Sequence, residues 1–281
     1  MSDAIHGNTQ MSATKMDVIA AMVQKELKFK AILAKYFTDV SQFAVKGAKS
    51  ISFPKLGSFT VNTRASGVAG SATVINGTAD KLDLNINAYI AYIVDQMDNV
   101  QSVLDWNAAC AERAGTAHAR YLDEQLILGL AGASGYSLGL TALTRDGILA
   151  ARAQLQKNDA DLNEITLFVS PAQELELLKI DQFTRADMYG TSTIPAGMIG
   201  RVYGVPVVIH NGLADSASYM AAKSGLAFGF QQGVMASEQP ANEYGSQAKR
   251  VAVDQLFGVK GLQLAEKGVA AGKSPLIVNM F

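Results

Sequence analysis

Residues Gly268 to Ser274 read GVAAGKS, and a Gly-Lys-Ser run is the chemistry that cradles nucleotide phosphates. That loop needs four residues between its first glycine and the Gly-Lys pair, and this chain has three. Pro275 follows with six residues after it, too few for the helix whose N-terminus would hold the anion. The nucleotide reading is set aside. Other reactive residues are scattered. His6, His118 and His210 each lack a second histidine or cysteine at metal-ligand spacing, so each reads as a satisfied core or interface side chain. Ser170 ends an apolar run without a G-x-S-x-G elbow or a nearby His–acid pair. Cys110, the single cysteine, lies within an apolar helical pattern and reads as a packed thiol in a reducing compartment. Gly129, Gly132, Gly135 and Gly139 lack G-x-G-x-x-G order, and Asp159 and Asp161 fall in a polar turn. Nothing here argues for catalysis, a cofactor or a metal.

Binding chemistry is better represented. Lys49, Lys55, Arg64 and Lys81 are interspersed with Phe53 and Phe59, the mixture of a single-stranded nucleic-acid platform. The two rings, however, share an alternating face with Ile51 and Val61, which favours burial on a protein partner. A formal charge of −1 and a pI near 6.3 supply no global attraction to nucleic acid or to an anionic membrane.

The elements that must carry these residues follow from periodicity. At 281 residues, 49% hydrophobic and with mean hydropathy +0.13, the chain can build a sizeable core in about two domains or one large one. No run reaches the roughly 18 apolar residues of a membrane span. The N-terminal MSDAIHGNTQMSATKMD has no basic stretch leading into an apolar one, so no secretory signal is expected and synthesis is expected in the cytosol. An amphipathic helix is predicted over 15–37. Alternating residues from Ile51 to Val61, and again from Leu82 to Tyr92, predict a long hairpin around a glycine-rich tip. Val100 to Leu130 predicts a helix roughly 45 Å long, capped by Asp98 or Asn99, interrupted at Gly115 and ended by the glycines from Gly129 onward. A second helix is predicted at LTRDGILAARAQLQKND, a buried strand at EITLFVS, and a bent or edge strand at VYGVPVVIHN, with further strands toward the C-terminus. The pattern is α+β, without the cadence of a doubly wound sheet.

Taken in order, these segments resemble the major capsid proteins of tailed bacteriophages, the Hong Kong 97 fold, over about residues 16–265. AVKGAKSISFPKLGSFTVNTRASG resembles the entry to that family's E-loop, and DKLDLNINAYIAYIVDQMDNVQSVLDW its return into the spine helix. AERAGTAHARYLDEQLILGLA is similar to the spine helix itself. LFVSPAQELELL and GMIGRVYGVPVVIHNGL are similar to the axial-domain pattern, while SGLAFGFQQGVMASE and LFGVKGLQL resemble its closing strands. Size and the weak fit to a self-cleaving precursor bring it nearest the podovirus type.

The resemblance implies an N-terminal arm (1–46), an E-loop hairpin (47–95), a peripheral domain with the spine helix (96–170), an axial domain (171–235) and closing strands (236–281). It implies hexamers and pentamers of this chain in an icosahedral head around double-stranded DNA. Assembly would take place in the host cytoplasm, with a separate scaffolding protein, a portal protein and decoration proteins as partners. Ile51, Phe53, Lys55, Phe59, Val61 and Arg64 are then the expected intersubunit contacts, and Gly115 a hinge in the spine helix. Lys55 lies where some members place a cross-linking lysine, but no acceptor asparagine or catalytic glutamate matches, so no cross-link is expected. Two other readings are a nanocompartment shell of encapsulin type and a soluble α/β enzyme or binding module.

Overall fold

The structure, a computed structural model, describes residues 23, 31–56, 61, 63–64, 66–67, 77–95, 106–179, 198–241, 243–244, 248–263 and 273–281. Most of the helix expected over 15–37, the caps Asp98 and Asn99, and Phe59 lie outside these residues. Within the described part of that expected helix, Leu33–Tyr36 is a single 3₁₀ turn, followed by strand β1 (Thr38–Asp39).

A two-stranded hairpin comes next, β2 (Ser50–Leu56) against β3 (Gly77–Asp83). The second alternating run does not all belong to it. Beyond Asp83 the chain enters a different sheet as β4 (Ile86–Asp95), where it pairs antiparallel with β11 (Ala248–Gly261). With β10 (Leu226–Pro240) this makes a four-stranded sheet in the order β1-β10-β11-β4.

The long helix α1 runs unbroken from Trp106 to Ala133. Its buried stripe is Ala111, Ala114, His118, Leu122, Leu126 and Leu130, the three-and-four spacing of an amphipathic helix. Small residues at one end let it lie close to the sheet, where Ala111 and Ala114 pack with Val251 and Val253. Gly129 does not end the helix as expected. It sits within α1 where a Cβ would come 2.8 Å from the Val259 side chain, so glycine serves close approach to β11.

A six-stranded mixed sheet lies beyond, in the order β5-β12-β9-β6-β8-β7. Its strands are β5 (Ser134–Ser137), β6 (Ile165–Val169), β7 (Met198–Val202), β8 (Val205–Ile209), β9 (Ser218–Ala222) and β12 (Ser274–Asn279). Central strands β6 and β9 are buried at every position, as expected of strands covered on both faces. Helix α2 (Arg145–Lys157), capped by the Thr144 hydroxyl, packs Ile148, Ala151 and Leu155 into this core. The single strand expected at VYGVPVVIHN is a hairpin. Tyr203 and Gly204 have φ of 50° and 83°, so the chain reverses between β7 and β8 in a two-residue turn.

One hydrophobic core joins both sheets to α1, with Leu126, Phe168, Phe228, Phe257 and Ile277 buried together. Sheet membership groups the elements as follows. β5, α2 and β6 join the six-stranded unit, whereas β10 leaves it for the sheet under α1.

Candidate functional site: the projecting hairpin and its anchorage

The residues considered for chemistry resolve into structural roles. Ser170 caps α3 (Pro171–Leu178), its hydroxyl accepting the Gln173 N–H at 3.3 Å and donating to the Asp215 carbonyl at 3.2 Å. Lys273 donates to the Gly132 carbonyl at 2.7 Å, placing its charge at the C-terminal end of α1, and Ser274 opens β12. Cys110 is half-buried, and burial pushes its thiol up, away from the nucleophilic thiolate. His118 is buried with its Nε2 unpartnered, and burial lowers its imidazole below the ordinary range against the opposing pull of the Val253 backbone and Asp254. Among the described residues no His/Cys/Asp/Glu group could hold a metal, and no helix is long and apolar enough to cross a membrane.

The hairpin is a different matter, because its two ends live in different surroundings. In register, Ser50 faces Asp83, Ile51 faces Leu82 and Phe53 faces Asp80. Ile51 is 6% exposed and joins Val40, Leu82, Leu84, Ala227 and Leu262 in a small core, with Phe53 packed on its edge. Ile51 is therefore an anchor inside its own chain, and the expectation that it faces a neighbour is corrected; Phe53 is largely drawn into the same cluster. Ile51 and Phe53 share one face of β2, as the alternation predicts, and the surface they pack on is intramolecular.

Polar contacts fix this root. The Asp80 carboxylate accepts the Gln263 N–H at 3.0 Å and pairs with the Lys260 ammonium at 3.0 Å, tying β3 to the end of β11. Gly258 lets β11 pass beneath: a Cβ there would lie 2.1 Å from the Asp83 carbonyl oxygen. On the other side the Gln231 amide donates to the carbonyls of Val45 and Ala48, at 3.2 and 2.6 Å. The Phe230 N–H donates to the Ser41 hydroxyl at 2.9 Å. At the far end the surroundings change. Val61 is 92% exposed and Arg64 is exposed, whereas Phe59 and the Lys55 side chain lie outside the described residues.

A second anchorage, unsuspected from sequence, centres on Asp123. This buried carboxylate of α1 accepts the backbone N–H groups of Ile32 and Leu33, at 3.0 and 3.1 Å, and stands 3.3 Å from Nε2 of His210. Nδ1 of His210 accepts the Gly212 N–H, so the ring carries its proton on Nε2 and donates to Asp123. One side chain thereby holds the 31–37 segment, the long helix and the loop after β8. An isolated acid in a polar-looking helix stripe carries no sequence signal for this. Gly115 lies buried in mid-helix, beside a Thr116 hydroxyl that donates to the Glu112 carbonyl.

Comparison with known proteins agrees with this architecture. A sequence model of a family described as phage capsid protein matches residues 33–258. No curated protein matches by sequence. Among solved structures, one from Mycobacterium phage Che8 superposes with a TM-score of 0.71 at 22% identity, covering 89% of this chain and 90% of that one. The capsid of cyanophage P-SCSP1u gives 0.70 at 14% identity, with 89% and 88% covered. A virus-like particle of Pyrococcus furiosus gives 0.62 at 11% identity, with 95% and 99% covered.

Proposed function

This chain belongs to the phage capsid protein family, and from that premise we propose that it builds its shell as hexamers and pentamers, closed into an icosahedral head around double-stranded DNA. It is a major capsid protein of the Hong Kong 97 type, a structural subunit that associates with itself. The match across residues 33–258 carries the reading. Under it, the four-stranded sheet with α1 is the peripheral domain, the six-stranded sheet the axial domain, and the β2–β3 hairpin the E-loop.

The physical case for the hairpin is simple. A lone two-stranded ribbon is marginal in water. Here the root is secured inside the subunit, leaving the tip to be stabilised by a neighbour. Lys55, Phe59, Val61 and Arg64 are the residues we assign to that contact, with Ile51 and Phe53 retained at the root. Repetition of one such contact in closed symmetry gives a shell from many modest interfaces. A net charge of −1 suits enclosing DNA more than gripping it. A separate scaffolding protein, a portal and decoration proteins complete the proposed assembly, in the host cytoplasm before the virion is released. Electron microscopy of the expressed chain tests the proposal: closed shells of uniform diameter support it, and a stable monomer at micromolar concentration overturns it.

A further inference from the structure

Beyond β8, His210 leads into an exposed turn formed by Asn211 and Gly212. Asn-Gly is the sequence at which the following backbone nitrogen most readily attacks the asparagine side chain, because glycine has no Cβ to obstruct the approach. The turn is held on both sides. The His210 N–H donates to the Val169 carbonyl at 3.0 Å, and the His210 carbonyl accepts the Leu213 N–H at 3.3 Å. Within it, the Gly212 N–H points at Nδ1 of His210, 3.0 Å away. Nε2 of the same ring stands 3.3 Å from the Asp123 carboxylate, itself fixed by the Ile32 and Leu33 N–H groups. A Cβ on Gly212 would lie 2.9 Å from Cε1 and 3.0 Å from Nδ1 of His210, so glycine is what lets the ring sit this close to the nitrogen. Amide nitrogen, imidazole and buried carboxylate thus stand in the order of nucleophile, base and orienting acid.

We propose that Asn211–Gly212 is a self-modification site, at which His210 promotes closure of a cyclic imide on the Asn211 side chain. The Gly212 nitrogen forms a bond to Cγ of Asn211 while its proton passes to Nδ1 of His210. The Cγ–Nδ2 bond of Asn211 then breaks, and His210 returns the proton to the departing nitrogen, which leaves as ammonia. Water opens the imide at either carbonyl and leaves aspartate or isoaspartate at position 211, with nothing oxidised or reduced. His210 is the catalytic residue, since it touches the reacting nitrogen. Asp123 is a positioning residue, which keeps the ring proton on Nε2 and so leaves Nδ1 free to accept. Isoaspartate adds a carbon to the backbone between the two residues and carries the Gly212 N–H away from Nδ1, so each chain reacts once. The change falls on the clamp that also holds the 31–37 segment. It requires no neighbouring subunit and stands apart from the shell reading.

The parent chain supplies its own control. Full-length protein is incubated near neutral pH, folded and in denaturing urea, and the peptide containing Asn211 is followed by mass spectrometry for loss of ammonia and for aspartate or isoaspartate. Folding should accelerate the reaction at least about tenfold over the rate in urea, at the low side of general acid–base effects. A folded rate no faster than the unfolded one overturns the inference, whatever any variant does. His210→Ala should bring the folded rate down to the unfolded level. Added imidazole should then restore part of it, which a merely structural role for the ring would not allow. A faster reaction in His210→Ala would make the hydrogen bond to Gly212 protective and overturn the inference as well. Asp123→Asn should lose most of the acceleration and Asp123→Glu regain part of it; parental rates in Asp123→Asn overturn its positioning role.

Discussion

Ile51 and Val61 look alike in sequence, two β-branched residues on one alternating face, yet the structure places one in a core and the other in water. Their substitutions should separate cleanly. Ile51→Ala removes packing from a closed cluster and should cost the free subunit about 2–5 kcal/mol in urea unfolding. Val61→Ser should leave that midpoint within about 0.5 kcal/mol, since the Val61 side chain is 92% exposed. Equal losses from both variants would contradict this division of the hairpin. His118 gives a prediction in pH. Burial lowers its folded-state pKa, with the Val253 backbone and Asp254 pulling the other way. The unfolded chain therefore binds the extra proton more readily, and stability rises with pH across the interval below the ordinary imidazole value of about 6.5. The contribution is complete above that value and is lost as pH falls toward the folded pKa. Urea midpoints of the free subunit should drop between pH 7.5 and pH 5.5. In His118→Gln that part of the drop should be absent; an identical pH dependence in the variant would assign the acid loss to other groups.

At the scale of elements, α1 is continuous through Gly115, whose backbone entropy makes an internal helix position about 1 kcal/mol weaker than alanine. Gly115→Ala should therefore stabilise the free subunit by up to that amount, if the buried site admits a methyl group. If the spine helix bends during expansion of the shell, the same variant should slow expansion, followed by time-resolved scattering; parental rates would remove Gly115 as a hinge. How far such elements were legible depended on whether their signal was local. The body of α2, the fully buried β6 and the body of α1 are written in neighbouring residues, and they appear where periodicity predicts them. The Tyr203–Gly204 reversal was missed because Tyr203 is a rare residue at positive φ, so the turn resembled a strand interior. The split of the second alternating run between β3 and β4 was illegible for another reason. Alternation marks a pleated strand without naming its partner, and Leu82 and Tyr92 have the same period in different sheets. Asp123 was invisible in sequence because its three partners come from positions about 90 residues away on either side.

For the whole molecule, the proposed assembly divides the hairpin into a root that the subunit packs into its own core and a tip assigned to a neighbour. Leu56 pairs with Gly77, so these two residues can close a hairpin through a two-residue turn. Replacing 57–76 by Asn-Gly leaves the paired register from Ser50 to Leu56, the Ile51–Leu82 cluster and the Asp80 contacts with Gln263 and Lys260 in place. None of these named root contacts is made by a residue of 57–76. A shorter loop is also cheaper to close, by about 0.6 kcal/mol for each halving of its length. The shortened subunit should therefore unfold at or slightly above the parental urea midpoint. Its association is where the loss should appear, because the proposed function assigns the contact with a neighbour to the tip. Sedimentation velocity should find free subunits or small oligomers at concentrations where the parent gives closed shells, and electron microscopy should find no uniform particles. Normal shells from the shortened chain would show that the tip is dispensable and would move the principal contact to the body of the subunit. Loss of folding would show instead that the root is held by its tip, against the burial of Ile51 and the pairing of Asp80.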